Sequence, residues 1–479
     1  MTNTSNATNE KAGVHVEVVV IGGGPGGYTA AFRAADLGSK VLLIESAARL
    51  GGVCLNAGCI PSKALLHTAK VITEAAELPG VRFGKPVIDL DALRKWKDGI
   101  VSRLTKGLAG LAKARKVTVM QGLARFASAH MLEVETPDGL KRVSFERAII
   151  AAGSSVARIP GFPYSDPRLI DSTGALAIED IPGRLLVVGG GVIGLEMATV
   201  YHALGSRVTV VEMTGQLIPG ADPDIVKPLA GKLARRYEAV LLNTRVAGLE
   251  SLPEGVRATF AGDGAPPPQV FDRVLVAAGR RPNGALLDVE KAGITPTARG
   301  FIEVDRQMRT SAPHIFAIGD ITGEPMLAHK ATHQGKVAAE TIAGHAVSFA
   351  ARTIPSVAYT DPEIAWMGLT ETEAKRQGID CETATFPWAA SGRALAIGAE
   401  DGGSKLILDK RSRRILGAGI VGAGAGELIA EAVLALEMDA EAGDLALAIH
   451  PHPTLSETLA FAAELAEGSI TDLFVPRKS

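Results

Sequence analysis

The chain has 479 residues, which is too many for one hydrophobic core, so two or more domains are expected. An aromatic content of 4% and a formal charge of −2, without a basic stripe, exclude a nucleic-acid-binding surface. Three cysteines are too few for a disulfide scaffold, and no apolar run approaches the about 18 residues of a membrane helix, so a soluble cytoplasmic protein is predicted.

The first predicted elements are a strand, a glycine turn and a helix, which follow a polar tail, residues 1–13, that is predicted to be disordered. A β-branched run leads into Gly22, Gly24 and Gly27, and a second apolar run ends at Glu45. In such a pattern the first glycine makes the turn, the second admits a pyrophosphate, and the third packs the helix against the strand. Because the acid then accepts hydrogen bonds from ribose hydroxyls, these residues predict a dinucleotide site.

Two cysteines, Cys54 and Cys59, lie close together in the segment GGVCLNAGCIPSK that follows. A structural zinc site would need a second cysteine pair, so a redox-active disulfide or two unrelated core cysteines are the interpretations left open. Residues five apart in one helix are about 8–9 Å apart between Cα atoms, too far for a disulfide, and Gly58 supplies a break. Pro61 suits the first turn of a new helix, whose dipole would favour a thiolate at Cys59, with Lys63 one turn further on.

A second copy of the strand, glycine turn and helix lies near the middle of the chain. Its glycines are Gly189, Gly191 and Gly194, and Glu212 follows the first of them at the same spacing as Glu45 in the first copy. Two such units predict two bound dinucleotides. A cofactor with a 2′-phosphate would favour Arg or Lys after the second strand, and the sequence VVEMTGQ there favours NAD over NADP.

Three further segments, RAIIAAGS, RVLVAAGRRPN and HIFAIGD, are predicted strands that lead into Gly153, Gly279 and Gly319. The first two are interpreted as crossings out of the dinucleotide units. Asp320 follows the third, at a strand end where a carboxylate can reach the hydroxyl chain of a sugar-like group. An ordinary turn after a strand explains each segment equally well.

The segment HPHPTLSE contains two candidate bases, His450 and His452. A thiol substrate with a pKa near about 8.5 needs a base to become a thiolate, and histidine is suited to this at neutral pH. A carboxylate on the other ring nitrogen would fix the tautomer, and Glu457 fits that role for His452. From the residues alone, either histidine is a candidate.

The segment GGVCLNAGCIPSKALL resembles the redox-disulfide segment of the pyridine nucleotide–disulfide oxidoreductases, and the likeness runs from about residue 14 to the C-terminus. It implies an α/β fold with two Rossmann-like dinucleotide-binding domains and a C-terminal α+β dimerisation domain. The implied domains are an FAD-binding domain with the redox disulfide at 14–158, an NAD-binding domain at 159–286, a central segment completing the FAD domain at 287–354, and a dimer-interface domain at 355–479.

The resemblance also assigns the cofactors, with FAD at the first glycine turn and NAD at the second. HIFAIGD and MLAHKA resemble segments that contact the flavin, which implies FAD contacts at Asp320 and Ala328. Lys63 is expected to pair with Glu196 near the flavin. The expected FAD-binding residues are Gly22, Gly24, Gly27, Glu45, Lys63, Gly153, Asp320 and Ala328, and the expected NAD-binding residues are Gly189, Gly191, Gly194, Glu196, Glu212 and Gly279.

The activity that the resemblance implies is the oxidation of dihydrolipoamide by NAD⁺, without a metal. His452, oriented by Glu457, would take the proton of a substrate thiol. The resulting thiolate would attack Cys54 of a Cys54–Cys59 disulfide, and Cys59 would be released against the flavin. Lys63 completes the implied catalytic set. The implied partners are a second copy of the chain, in a homodimer whose C-terminal domain serves the neighbour's flavin site, and the lipoyl-bearing acyltransferase of a 2-oxoacid dehydrogenase complex. The glycine cleavage system is the other possible source of lipoyl groups, and no nucleic acid or membrane partner is expected.

Two related activities and one non-catalytic role are the alternatives. A glutathione-type reductase shares the disulfide but prefers NADP, which the segment after Glu212 disfavours. A mercuric reductase would carry a C-terminal cysteine pair, whereas the chain ends EGSITDLFVPRKS. A docking flavoprotein without redox activity would need neither the cysteine pair nor the His–Glu pair, so a substitution of Cys54 discriminates against it.

Overall fold

The computed structural model describes residues 14–474, so the predicted tail at 1–13 and the last five residues of the chain lie outside the described part. The described chain folds into two compact units, each made of non-consecutive segments. The first unit comprises residues 14–60, 98–155 and 280–350, and the second comprises residues 61–97, 156–279 and 351–474.

Helices and strands alternate along most of the chain. In the N-terminal part they are β1 (Val14–Ile21), α1 (Pro25–Asp36), β2 (Val41–Glu45), α2 (Gly52–Ala57), α3 (Cys59–Glu77), α4 (Leu90–Ala114), β3 (Thr118–Gln121), β4 (Leu123–Ser128), β5 (Met131–Thr136), β6 (Gly139–Ile150) and β7 (Ser154–Val156). The middle part contains β8 (Leu169–Ile170), α5 (Ser172–Ala177), β9 (Arg184–Val188), α6 (Val192–Leu204), β10 (Arg207–Val211), α7 (Pro223–Arg236), β11 (Ala239–Leu241), β12 (Arg245–Leu252), β13 (Gly255–Ala261), β14 (Gln269–Phe271), β15 (Arg273–Val276) and β16 (Arg280–Pro282). The C-terminal part contains β17 (Ile315–Ala317), α8 (Ala328–Ile342), β18 (Ser356–Ala358), β19 (Glu363–Gly368), α9 (Glu371–Gln377), β20 (Cys381–Pro387), α10 (Gly392–Ala396), β21 (Gly403–Asp409), β22 (Ile415–Gly422), α11 (Ala425–Glu437), α12 (Ala442–Leu447) and α13 (Glu457–Glu467).

A seven-stranded mixed sheet organises the first unit, with the order β3-β2-β1-β6-β5-β4 and β17 also paired with β6. Its strands β3, β2, β1, β6 and β17 run parallel, and β4, β5 and β6 form an antiparallel meander. Val19 and Ile21 of β1 face one apolar core, while Val18 and Val20 face another. The strand is therefore covered on both sides, which explains its unbroken apolar run and leaves its carboxyl end as the place for a glycine turn.

A five-stranded parallel sheet in the order β11-β10-β9-β15-β8 repeats this plan in the second unit. Strand β9, helix α6 and strand β10 follow one another as β1, α1 and β2 do, because the right-handed crossover of a helix joins two parallel strands. A three-stranded antiparallel sheet, β12-β13-β14, accompanies it.

The C-terminal residues of the second unit form a five-stranded antiparallel sheet, β18-β19-β22-β21-β20. The apolar residues of α11 and α13 share one core with the sheet, and Trp388 is fully buried in it. The indole Nε1 of Trp388 donates to Ser404 Oγ at 3.0 Å, and Ser404 Oγ lies 2.7 Å from Thr458 Oγ1. This polar link fixes α13, on which one candidate catalytic carboxylate lies.

The predicted fold class is confirmed, since two α/β sheets with glycine turns precede a C-terminal α+β domain. The domain boundaries at residues 158, 286 and 354 stay predictions. Across residues 14–474, none of the helices has both the length and the apolar character that crossing a membrane requires.

Candidate functional site

The first glycine turn connects β1 to α1. Gly22 has φ +105°, and a Cβ there would lie 2.3 Å from the carbonyl oxygen of Ala151, so only glycine fits. A Cβ on Gly27 would lie 1.8 Å from the carbonyl oxygen of Gly22, which explains the close packing of the helix on the turn. Gly24 begins α1 as its N-cap without a side-chain cap, and a Cβ there would meet only Gly52, at 3.8 Å. The helix N-terminus thus presents backbone N–H groups with room for a pyrophosphate.

The second glycine turn connects β9 to α6 and has the same geometry. Gly189 has φ +113°, and its Cβ would lie 2.5 Å from the carbonyl oxygen of Ala277. A Cβ on Gly194 would lie 2.1 Å from the carbonyl oxygen of Gly189. Gly191 is the N-cap of α6, and a Cβ there would meet open space. Both turns therefore suit the diphosphate of a dinucleotide.

The acid that follows each turn folds back onto it. Glu45 accepts a hydrogen bond from the backbone N–H of Gly23 at 2.7 Å, and Glu212 accepts one from the N–H of Gly190 at 2.8 Å. The second oxygen of Glu212 accepts from the N–H of Thr214 at 2.8 Å. Each carboxylate is thus buried and held at the strand end beside its turn. The predicted ribose contacts of Glu45 and Glu212 stay predictions.

The cysteine segment lies against the first glycine turn. The N–H of Gly51 donates to the carbonyl oxygen of Gly23 at 2.8 Å, and a Cβ on Gly52 would lie 2.6 Å from the Cα of Gly24. This close approach of two glycine backbones brings the start of α2 to the turn that suits a pyrophosphate.

The two cysteines flank the predicted break in the helix. Cys54 lies in α2, which ends at Ala57, and α3 begins with Cys59 after the single residue Gly58. Gly58 has φ −151° and ψ −114°, which is not helical. Cys54 is partly buried and Cys59 is exposed. Burial raises the pKa of Tyr28, and negative charge at Cys54 and Cys59 raises it further.

Lys63 and Glu196 form the ion pair that the resemblance predicted. The Lys63 Nζ lies 3.0 Å from both carboxylate oxygens of Glu196, whose side chain is 5% exposed. Tyr359, which the sequence analysis missed, contributes in two ways: its backbone N–H donates to Glu196 at 3.2 Å, and its ring centroid lies 4.4 Å from the Lys63 Nζ. The predicted roles of Lys63 at FAD and of Glu196 at NAD stay predictions.

His452 and Glu457 are hydrogen-bonded as expected. The Nδ1 of His452 lies 2.8 Å from a Glu457 oxygen, so it donates to the carboxylate, and the other Glu457 oxygen accepts from the N–H of Thr454 at 2.7 Å. The His452 side chain is 78% exposed in the single chain. Because Nδ1 is engaged, Nε2 is the ring nitrogen left to accept a proton from a substrate.

His450 has a carboxylate partner of its own, which the sequence analysis did not identify. Its Nε2 lies 2.7 Å from Glu431, its Nδ1 lies 2.8 Å from the carbonyl oxygen of Ala448, and its side chain is only 9% exposed. Burial alone would lower the pKa of His450, but the Ala448 carbonyl and Glu431 raise it above its ordinary value. Both ring nitrogens are thus engaged, which favours His452 as the base.

The segment around Asp320 is fixed by side chains from two other strand ends. Ser154 Oγ donates to the Asp320 carboxylate, and Arg280 Nε donates to Ser154 Oγ at 2.7 Å. Arg280 and Ser154 were missed because no local pattern marks them. Gly153 and Gly279 have φ +64° and +105°, consistent with sharp exits from their strands.

Ala328 is the first residue of α8, which packs closely on α1. A Cβ on Gly335 would lie 2.6 Å from the carbonyl oxygen of Gly26, so the two helices approach each other at glycines. The N–H of Gly319 donates to Gln334 on α8 at 2.7 Å. The predicted FAD contacts of Asp320 and Ala328 stay predictions.

Comparison with known proteins assigns two long segments of the chain to one family. Residues 16–335 match the family described as pyridine nucleotide-disulphide oxidoreductase, and residues 354–463 match the dimerisation domain of that family. A dihydrolipoyl dehydrogenase of Vibrio cholerae is 54% identical over 96% of this chain and 97% of its own length. A dihydrolipoyl dehydrogenase of Haemophilus influenzae is 53% identical over the same shares. The crystal structure of LpdA from Mycobacterium tuberculosis is similar with a TM-score of 0.86 and 27% identity, over 94% of this chain and 99% of that one.

Proposed function

The chain belongs to the pyridine nucleotide-disulphide oxidoreductases, and from this we propose that it oxidises dihydrolipoyl groups with NAD⁺ through a Cys54–Cys59 disulfide. FAD and NAD are the cofactors of this family. The observation that carries the proposal is the cysteine pair at a helix break, directly against the first glycine turn. The activity is the one named for the relatives of Vibrio cholerae and Haemophilus influenzae.

The cysteines and the histidine divide the thiol chemistry between them. His452 Nε2 takes the proton of a substrate thiol, and Glu457 stabilises the imidazolium that forms. The substrate thiolate attacks Cys54 Sγ, the bond to Cys59 breaks, and Cys59 leaves as a thiolate favoured by the N-terminus of α3. The second substrate thiol then displaces Cys54 and closes the substrate disulfide.

The two electrons left on the cysteine pair account for the overall reaction. When bound, FAD supplies the two-electron link between the cysteine pair and NAD⁺. The sum is a dithiol plus NAD⁺ giving a disulfide, NADH and a proton. The resident pair returns to its disulfide form at the end of each cycle.

The two glycine turns divide the cofactors in this proposal. FAD lies at the first turn, with Gly153, Asp320, Ala328 and Lys63 as its other contacts, and NAD lies at the second, with Glu196 and Gly279. Room at Gly24 and at Gly191 supports both assignments, because a pyrophosphate requires that space. The proposed domains are an FAD-binding domain at 14–158, which the central segment at 287–354 completes, an NAD-binding domain at 159–286 and a dimer-interface domain at 355–479.

The match of residues 354–463 to the family's dimerisation domain supports a homodimer. The proposed partner is the lipoyl-bearing acyltransferase of a 2-oxoacid dehydrogenase complex, since its lipoyl arm carries the dithiol that the chemistry requires. A cytoplasmic location completes the proposal, supported by the low cysteine count of the chain.

Substitution of each cysteine tests the proposal. The holoenzyme is assayed for dihydrolipoamide:NAD⁺ activity as the wild type and as Cys54→Ser, Cys59→Ser and Cys381→Ser, the last being the third cysteine of the chain and the matched control. We expect the first two variants to lose at least about 10³-fold in kcat and the third to retain it. Full activity in Cys54→Ser or Cys59→Ser would exclude a cysteine-based reaction.

A spectrum separates the roles of the two cysteines. Partial reduction of the wild type should give a long-wavelength charge-transfer band from the Cys59 thiolate to oxidised flavin, and Cys54→Ser, which has no disulfide to reduce, should show the band without reductant. The band should be absent from Cys59→Ser. A band that survives in Cys59→Ser would assign the thiolate to another residue.

A further inference from the structure

Asp222 caps a helix other than the one it precedes. It occupies the N-cap position of α7, but its carboxylate makes no cap bond there. Instead the carboxylate accepts from the N–H groups of Glu371 at 2.8 Å and Thr372 at 3.0 Å, and from Thr372 Oγ1 at 2.9 Å. These are the first residues of α9, which follows β19 in the C-terminal domain. Asp222 thereby attaches the start of α7 to that domain.

A buried lysine completes the attachment. The Lys405 Nζ, on β21, lies 3.2 Å from Asp222, 2.9 Å from Asp224 and 2.7 Å from Glu371, and its side chain is 1% exposed. The three carboxylates lie within 4.8 Å of one another, and the ammonium of Lys405 lies among them and offsets one of their three negative charges. Without that ammonium, the three carboxylates would repel one another, and the buried Asp222 would be left without a cation beside it.

The segment that ends at Asp222 begins at Glu212, after β10, and is hydrogen-bonded to the second glycine turn. The N–H of Ile218 donates to the carbonyl oxygen of Gly190 at 3.0 Å, and Glu212 accepts from the N–H of the same glycine. Further along, Gln216 Nε2 donates to the carbonyl oxygen of Ala221 at 2.8 Å. The loop of residues 212–222 is therefore hydrogen-bonded to the turn at one end and to the Lys405 cluster at the other.

We propose that Lys405, together with Asp222 and Glu371, is a positioning group for NAD: it holds the 212–222 loop against the second glycine turn. This inference rests on the proposed assignment of NAD to that turn. Removal of the Lys405 charge frees the acids to separate, which shifts Asp222 and, through the loop, Glu212 and the Gly190 amide. Binding of the adenosine diphosphate part of NAD then weakens, while the thiol chemistry does not depend on the cluster.

The test uses Lys405→Met in the FAD-loaded enzyme, with Lys410→Met as the control. Lys410 is exposed and lies just beyond the same strand. Within the described residues, Asp380 is the carboxylate with which it forms an ion pair. ADP-ribose is the probe, because it contains the adenosine and the diphosphate but transfers no hydride. Calorimetry should give a Kd for ADP-ribose about tenfold higher in Lys405→Met and within about twofold of wild type in Lys410→Met. The KM for dihydrolipoamide should stay within about twofold in both variants.

Two further variants extend the test, and the first of them keeps it decisive if Lys405→Met folds poorly. Glu371→Gln preserves the shape of the cluster and should raise the Kd for ADP-ribose by about threefold without a change in the KM for dihydrolipoamide. The double variant with Lys405→Met and Glu371→Gln has one fewer unbalanced acid, so it should bind ADP-ribose more tightly than Lys405→Met alone. An unchanged Kd in every folded variant, or an equal rise in both substrate constants, overturns the inference.

Gly191→Ala separates this inference from the proposed function. Its Cβ would meet open space in the protein but would occupy the place assigned to the pyrophosphate. If Gly191→Ala leaves ADP-ribose binding intact, the assignment of NAD to the second turn is wrong. If Gly191→Ala weakens ADP-ribose binding and the Lys405 and Glu371 variants do not, only the positioning role is wrong.

Discussion

The ammonium of Lys63 lies 3.0 Å from each carboxylate oxygen of Glu196, and so joins α3 to the helix that starts at the second glycine turn. Glu196 is buried while Lys63 is partly exposed. The cost of removing the two partners should therefore differ, because an uncompensated carboxylate in a buried place is more unfavourable than an exposed ammonium.

We predict that Lys63→Met lowers the free energy of unfolding by about 3 kcal/mol. The buried Glu196 carboxylate then loses its cation and keeps the hydrogen bond from the Tyr359 N–H. Glu196→Gln should cost less, and the double variant should cost less than the sum. Denaturant titration of the four proteins gives this cycle.

The control for that cycle is Lys70→Met on the same helix. Lys70 pairs with Glu74 at 3.8 Å, and both side chains are exposed. Its loss should cost no more than about 0.5 kcal/mol. An equal loss in the free energy of unfolding for Lys63→Met and Lys70→Met would mean that the burial of Glu196 does not add to the cost of losing its partner.

The two histidines near the C-terminus should differ in their effect on catalysis. We predict that His452→Gln lowers kcat by about 10²- to 10⁴-fold, because the ring accepts the substrate proton, whereas His450→Gln changes it little. Glu457→Gln should give an intermediate loss, since it removes the orienting carboxylate but leaves the base. Steady-state dihydrolipoamide oxidation with purified variants decides the assignment, and a larger loss in His450→Gln would reverse it.

Contacts that follow from local patterns were predictable from the sequence. The glycine turns, the break between Cys54 and Cys59, and the His452–Glu457 pair each depend on a few neighbouring residues whose spacing restricts the backbone. The Lys63–Glu196 pair was predictable only through the family resemblance, because the two residues are 133 positions apart.

The cluster around Lys405 could not be predicted in this way. Asp222 precedes a proline at the start of α7, which is typical of a cap for its own helix, yet its carboxylate binds the start of α9. Lys405 lies on β21 between Ser404 and Leu406, in a strand that is almost wholly buried, and is 183 positions from Asp222. Only the tertiary fold decides that this buried strand position faces three carboxylates.

The choice between NADH and NADPH should depend on Glu212. We predict that Glu212→Arg lowers kcat/KM for NADH by about 10- to 100-fold, because the hydrogen bond to the Gly190 amide is lost together with the negative charge. The ratio of NADPH to NADH activity should rise, since a cation can pair with a 2′-phosphate.

Glu250→Arg is the control for the change in net charge. Glu250 is an exposed residue of β12 that pairs with Arg257 in the same unit. Steady-state kinetics with both cofactors should give the wild-type ratio for this variant. An unchanged ratio in Glu212→Arg would remove Glu212 from the ribose site.

The charge state of Asp222 gives a prediction on pH. Burial would raise the pKa of Asp222, but the N–H groups of Thr372 and Glu371, the Thr372 hydroxyl and Lys405 together hold it below its ordinary value. A carboxyl with a lowered pKa in the folded state stabilises the protein at pH values above its unfolded pKa of about 3.9. It loses that contribution as the pH falls further.

Asp222→Asn should therefore lower the thermal midpoint by a constant amount between pH 7 and about 5, and the difference from wild type should shrink below about pH 4. Asp263→Asn, in the exposed loop between β13 and β14, should show no such trend. A difference that already shrinks between pH 7 and 5 would mean that burial outweighs the hydrogen bonds and raises the pKa of Asp222.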